Sequence, residues 1–158
     1  NALKRSELPL IILLDGVSDV RNFGAIARSA ECAAADGIIV PAKGGAAINA
    51  DAIKSSAGAL LRIPTAKVPN LRTALYHLLE AGFQIVAATE KAEKTIYEVD
   101  FKKPTAIILG SEDKGISESV LAISTEVAKI PLMGKTLSLN VSVAASVVIF
   151  EALRQRIV

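Results

Sequence analysis

The sequence predicts an α/β domain built on a largely parallel sheet with helices on both faces. Residues 8–14 (LPLIILL) and 104–109 (PTAIIL) are apolar runs with little alternation, the pattern of strands buried on both faces, and such strands belong to parallel sheets. Strand-like and helix-like segments alternate along the chain, as crossover connections require. A helix expected from residue 141 has only Ser142 and Ser146 as polar residues up to Phe150, so it needs cover on nearly every side. At that length it is too short to span a bilayer.

Taken in order, 8–14 forms the first strand and ends in the turn pair Asp15-Gly16. Asn22 can cap a helix running to about residue 35. A second strand covers 37–40, the Gly44-Gly45 pair makes a loop, and Asn49 caps a helix to about residue 60. A third strand is expected over 62–68. The helix from 71 to 81 buries Leu71, Leu75, Leu78 and Leu79, leaves His77 beside that face, and is closed by Gly82. A strand at 83–88 ends at Thr89, and the charged stretch 91–103 reads as a surface excursion. The strand at 105–109 leads into Gly110-Ser-Glu-Asp-Lys-Gly115, and a helix starts near Ser117. The last strand, 126–131, runs into a polar loop that places Ser138 beside Asn140, where the final helix begins.

Composition narrows the chemistry. In 158 residues, one domain by length, there is one cysteine, Cys32, and one histidine, His77. An internal disulfide, a cysteine-cluster zinc site and a Ser-His-Asp hydrolase therefore lack material. No metal is expected. A lone thiol suits a reducing compartment, and no membrane-spanning run or signal peptide is read, so a cytoplasmic protein is expected. The net charge of +2 is too small to name a nucleic-acid partner by itself.

Ligands of parallel sheets bind beyond the carboxyl ends of the strands. Thr89, Gly110 and the loop from Leu132 to Asn140 all leave strands there. Gly110 and Gly115 permit close backbone approach and positive φ, fitting either a ligand cradle or a tight strand-to-helix turn. A side chain at Gly110 is expected to fill the pocket and leave the fold intact. Asn140 is equally a helix cap, and Arg28 read alone is a solvated helix arginine.

Three stretches read together are more specific: Asn22-Phe-Gly-Ala-Ile-Ala-Arg28-Ser-Ala, Ile108-Leu-Gly110-Ser-Glu112-Asp-Lys-Gly115, and Ile130-Pro-Leu-Met-Gly134 through Ser138-Leu-Asn140 to Arg154-Gln-Arg156. In order and spacing they resemble the three motifs of the SpoU/TrmH group of RNA ribose 2′-O-methyltransferases. The resemblance implies an α/β fold with a C-terminal trefoil knot, S-adenosylmethionine as cofactor, and a homodimer. It places the group's polar site residues on Asn22, Arg28, Glu112, Ser138 and Asn140. It places the cofactor contacts on Gly110, Ile130 and Leu139, with Thr89, Leu132 and Gly134 nearby. The implied substrate is structured RNA, 23S-type ribosomal RNA before transfer RNA, with a non-catalytic RNA-binding module of the same fold as the alternative. Residues 1–158 are read as the catalytic domain alone, and a small RNA-binding domain is expected ahead of it, in keeping with a first residue that is not Met.

Methyl transfer from a sulfonium needs an in-line oxygen more than it needs a metal. Arg28 is the group assigned to the acceptor hydroxyl. Arginine stays protonated under ordinary conditions, which favours electrostatic stabilisation of the developing alkoxide over proton abstraction. The all-apolar final helix and the helix carrying Asn22 are expected to pair across a symmetric dimer, bringing the acceptor site to a shared rim.

Overall fold

A computed structural model of the chain describes residues 7–158. Six strands form one sheet in the order β3-β2-β1-β5-β4-β6: β1 (Leu10–Asp15), β2 (Gly37–Pro41), β3 (Thr65–Val68), β4 (Gln84–Ala88), β5 (Thr105–Gly110) and β6 (Glu126–Ala128). Every pairing is parallel. The helices are α1 (Val20–Cys32), α2 (Ala50–Ser55), α3 (Leu71–Glu80), α4 (Glu118–Ile123) and α5 (Val141–Ile157).

Side chains alternate along β1, and the alternation sorts the core into two layers. Leu10, Ile12 and Leu14 join Phe23, Ile26 and Ala30 of α1 with Val148 and Ile149 of α5. Ile11 and Leu13 join Leu71, Leu75 and Leu78 of α3 with Val120 of α4. Helices thus cover both faces, as the unalternating apolar runs predict. The sheet turns back on its own order between β1 and β5, where the register aligns Asp15 with Gly110. Both strands therefore end together at the carboxyl edge.

Several boundaries differ from expectation, each for a local reason. The cap of α1 is Asp19, whose carboxylate accepts from the backbone N–H of Arg21 and Asn22, so Asn22 lies in the first turn and does not cap. Asn49 does cap α2, and Asn70 caps α3, but α2 stops at Ser55 and a 3-10 turn (Ala59–Leu61) takes the chain on. Both β3 and β6 are shorter than expected. Residues 91–103 are not merely a surface excursion: Ile96, Val99 and Phe101 are buried in the core. The end of α5 holds that segment down. Gln155 accepts from Phe101 N–H at 2.8 Å and donates to Val99 O at 2.9 Å. Arg156 donates to the carbonyls of Phe101 (2.9 Å), Leu8 (2.7 Å) and Lys103 (2.9 Å). Burial lowers the Arg156 pKa, opposed by the Asp36 carboxylate.

Gly24, inside the first motif, permits α1 to meet α2 closely, since a Cβ there would lie 2.5 Å from Ser55 Cβ. His77 is exposed, as is the free thiol of Cys32. No helix among the described residues is long and apolar enough to cross a membrane.

Candidate active site

The loop after β5 folds back on itself and onto β1. Gly115 N–H donates to Ser111 O at 2.8 Å, and Ser111 N–H to Asp15 O at 3.2 Å. The Asp15 carboxylate accepts from both Ser117 N–H and Ser117 Oγ at 2.9 Å. Gly110 sits under this turn. A Cβ there would lie 2.3 Å from Gly115 C and 2.4 Å from Ile116 N, so the loop backbone occupies the space of a side chain. Gly115 turns the chain at φ +66°, a region other residues seldom adopt. The two glycines serve the two purposes their type suggests. The expectation that a side chain at Gly110 would leave the fold intact is overturned, because backbone cannot swing aside as a flexible side chain would.

Between this loop, the end of β4 and residues 130–141 lies a cleft of about 230 Å³. Thr89, Gly110, Ile130, Leu132 and Leu139 line it, together with Glu112 and Ser138. Gly134 lies outside the lining, exposed in the same loop. The floor includes Leu109, Ile116, Leu121 and Ala144, which no signal in the sequence marks out, since apolar residues that pave a pocket look like any others.

A second cleft, about 660 Å³, opens on the other side of the same loop. It shares Glu112 and Val141 with the first and is lined also by Asp15, Asp19, Asn22 and Gly44. Glu112 stands in the dividing wall and accepts from Val141 N–H at 3.0 Å, tying the loop to the first turn of α5. Asn140 Oδ1 accepts from Ser142 N–H at 2.9 Å and from Val143 N–H at 3.4 Å, while its Nδ2 donates to Asn22 Oδ1 at 3.2 Å. Asn140 is therefore a helix cap and a link between the first and third motifs at once. Asn22 keeps its Nδ2 without a partner among the described residues. Arg28 is exposed on α1 and lines neither cleft, and among the described residues no hydrogen bond or ion pair holds its guanidinium. Among those residues, too, no group of three or more His, Cys, Asp and Glu is placed to hold a metal ion.

A parallel sheet with two neighbouring clefts at its carboxyl edge, separated by a glycine-bounded loop, defines an α/β domain whose ligand-binding edge is the one where β1 and β5 end. Residues 9–150 match the family model of the SpoU rRNA methylase family, and the chain belongs to that family. It is 41% identical over 155 residues to the 23S rRNA (guanosine-2′-O-)-methyltransferase RlmB of Pseudomonas aeruginosa, covering 98% of this chain and 62% of that protein. It is 42% identical over 147 residues to an uncharacterized tRNA/rRNA methyltransferase of Mycolicibacterium smegmatis, covering 93% of this chain and 47% of that one. Among solved structures it resembles the SpoU methyltransferase AviRb from Streptomyces viridochromogenes in complex with the cofactor AdoMet, with a TM-score of 0.89 and 30% identity over 98% of this chain and 63% of AviRb. The chain thus spans roughly half to two-thirds of the length of these relatives.

Proposed function

We propose that this domain transfers the methyl group of S-adenosylmethionine to a ribose 2′-hydroxyl in structured RNA, with 23S-type ribosomal RNA as substrate. The observation that carries the reading is the pair of clefts meeting at Glu112, one walled by the second and third motifs, the other by the first and second. A donor in one cleft and an acceptor in the other would meet at the edge the clefts share, beside Glu112 and Val141, and positioning of that kind supplies much of the rate.

The first cleft fits the cofactor by its chemistry. Exposed peptide groups around Gly110 offer hydrogen bonds, while Leu109, Ile116 and Leu139 offer apolar surface for a flat heteroaromatic ring. S-adenosylmethionine, when bound, supplies an electrophilic methyl on a sulfonium. The remaining steps belong to the chain's own residues. Asn22 offers its unpartnered Nδ2 to an oxygen of the acceptor nucleotide in the second cleft, and Asn140 fixes the orientation of that amide. Arg28 stabilises charge developing on the acceptor oxygen. Glu112 keeps the dividing loop against α5, and Ser138 offers a hydroxyl at the cofactor cleft.

Arg28 lies about 9 Å along α1 from Asn22, at 1.5 Å per residue, so the acceptor site is proposed to be completed in a homodimer. Val143 and Phe150 of α5 are 48% and 43% exposed. With half-buried Val147 they form a stripe at spacings of four and three residues, a face suited to a symmetric partner. The implied trefoil knot is supported by the backbone of Lys129, which accepts from Ile96 N–H and donates to Lys94 O. That arrangement suits a segment threaded inside the 89–103 loop. An N-terminal RNA-binding domain and a cytoplasmic setting belong to the same reading.

The test is labelled methyl transfer by the full-length protein to ribosomal RNA from a strain deleted for its gene. Acid-precipitable label on a 2′-O-methyl nucleoside supports the reading; cofactor binding without transfer would leave an RNA-binding module.

A further inference from the structure

We propose that Ser29 and Ser146 are positioning residues, a hydroxyl pair that fixes α1 against α5 and so sets where Arg28 stands; the proposal rests on the role given to Arg28 above.

Their Oγ atoms lie 2.7 Å apart. Ser146 donates its one proton to Ser142 O, four residues back on its own helix, at 3.0 Å. Across the pair, then, Ser29 is the donor and Ser146 the acceptor. Asn22 with Asn140 and Ser29 with Ser146 are matched in sequence order, so the two helices run side by side in the same direction, linked at two places roughly 10 Å apart along their axes.

Apart from Glu151, which pairs with Arg154 of its own helix, the buried residues between and beyond these links are apolar, among them Ile26, Ala27 and Ala30 on α1 and Ala145, Val148 and Ile149 on α5. Apolar contact attracts without direction, and the small alanines leave low relief to oppose a slip or a roll of one helix on the other. One link near the helix starts would leave the far end of α1 set against α5 by apolar packing alone. The second adds a directional contact one residue beyond Arg28. Since Arg28 has no partner of its own among the described residues, its location follows the backbone of α1.

Ser29→Thr and Ser29→Val test this, being alike in shape with and without the donor, alongside Ser146→Ala and the Ser29→Val/Ser146→Ala double variant in the full-length protein. The readouts are kcat for transfer from S-adenosyl-[methyl-³H]methionine to ribosomal RNA of the deletion strain and calorimetric Kd for the cofactor. The expected result is a kcat lowered about tenfold by Ser29→Val and by Ser146→Ala, as small misplacements in an active site cause. The double variant should be no worse than either single, Ser29→Thr should lie near wild type, and the cofactor Kd should be unchanged throughout. Wild-type kcat in Ser29→Val, or losses that multiply in the double variant, would overturn the proposal. Arg28→Ala with wild-type kcat would remove the role of Arg28 itself and the proposal with it. A silent serine pair in an enzyme that needs Arg28 would remove the proposal alone.

Discussion

Asn140 and Asn22, 118 residues apart in sequence, are joined by a 3.2 Å hydrogen bond from the Asn140 amide nitrogen to the Asn22 amide oxygen. Because the Asn140 oxygen is already committed to the N–H groups of Ser142 and Val143, the amide has one orientation. That orientation leaves Asn22 Nδ2 as the free donor. The start of α5 therefore determines how the first motif meets its ligand.

Asn140→Asp separates the two duties of this residue. Aspartate keeps an oxygen for the cap and a charge favourable at a helix N-terminus, but gives Asn22 no donor. Thermal melts should change little, while transfer falls at least about tenfold, a loss of roughly 1.4 kcal/mol in the barrier. Asn140→Ala should lose activity and about 1 kcal/mol of stability as well. Wild-type kcat in the aspartate variant would reduce Asn140 to a cap.

Gly110→Ala should disturb the fold of the loop. The added Cβ meets backbone at 2.3 Å, and overpacking of this kind costs about 1–3 kcal/mol. A lowered melting temperature together with weakened S-adenosylmethionine binding by calorimetry is the expected outcome. Unchanged values for both would place the 110–116 turn elsewhere.

Much of this was legible in the sequence. The β1 and β5 runs were legible as strands covered on both faces, because such strands need not alternate, but not their place beside each other in the sheet. Asn49 and Asn140 announced their helices because each precedes an apolar period. Asn22 failed as a cap since Asp19 stands three residues earlier and takes the first-turn N–H groups. Charge around Ile96, Val99 and Phe101 hid three anchors: the end of α5 holds Val99 and Phe101 through hydrogen bonds spanning more than fifty residues, and Lys129 O accepts from Ile96 N–H. The pocket glycines could be read as places of close approach, but not what approaches them. No local pattern records that Asn22 and Asn140, or Ser29 and Ser146, meet.

Glu151 predicts an acid dependence. It is 7% exposed, and hydrogen bonds from Arg154, then Gln155, hold its carboxyl below the usual glutamate range against the opposing effect of burial. A depressed folded-state pKa contributes stability that is present above the unfolded value, about 4.3, and is lost as pH falls through the folded value. Glu151→Gln should flatten the fall in melting temperature below about pH 4.3 relative to wild type. An identical acid limb in both proteins would contradict this.

Val143→Asp tests the dimer without touching the core, since Val143 is 48% exposed whereas Val148 is fully buried. Sedimentation should show a dimer for wild type and a monomer for Val143→Asp, with melting behaviour retained in part. Val148→Asp should instead unfold the domain, since a charge cannot be buried there unpaired. A wild-type monomer at micromolar concentration would defeat the proposed shared site.

The most direct test of the account is the product formed when full-length wild-type and Arg28→Ala proteins act with S-adenosyl-[methyl-³H]methionine on ribosomal RNA from the deletion strain, digested to nucleosides and resolved by chromatography. Wild type should place label on a single 2′-O-methyl nucleoside, and Arg28→Ala should lose it while calorimetric binding of the cofactor stays intact. Label on a base, or wild-type binding of the cofactor with no label in RNA, would contradict it.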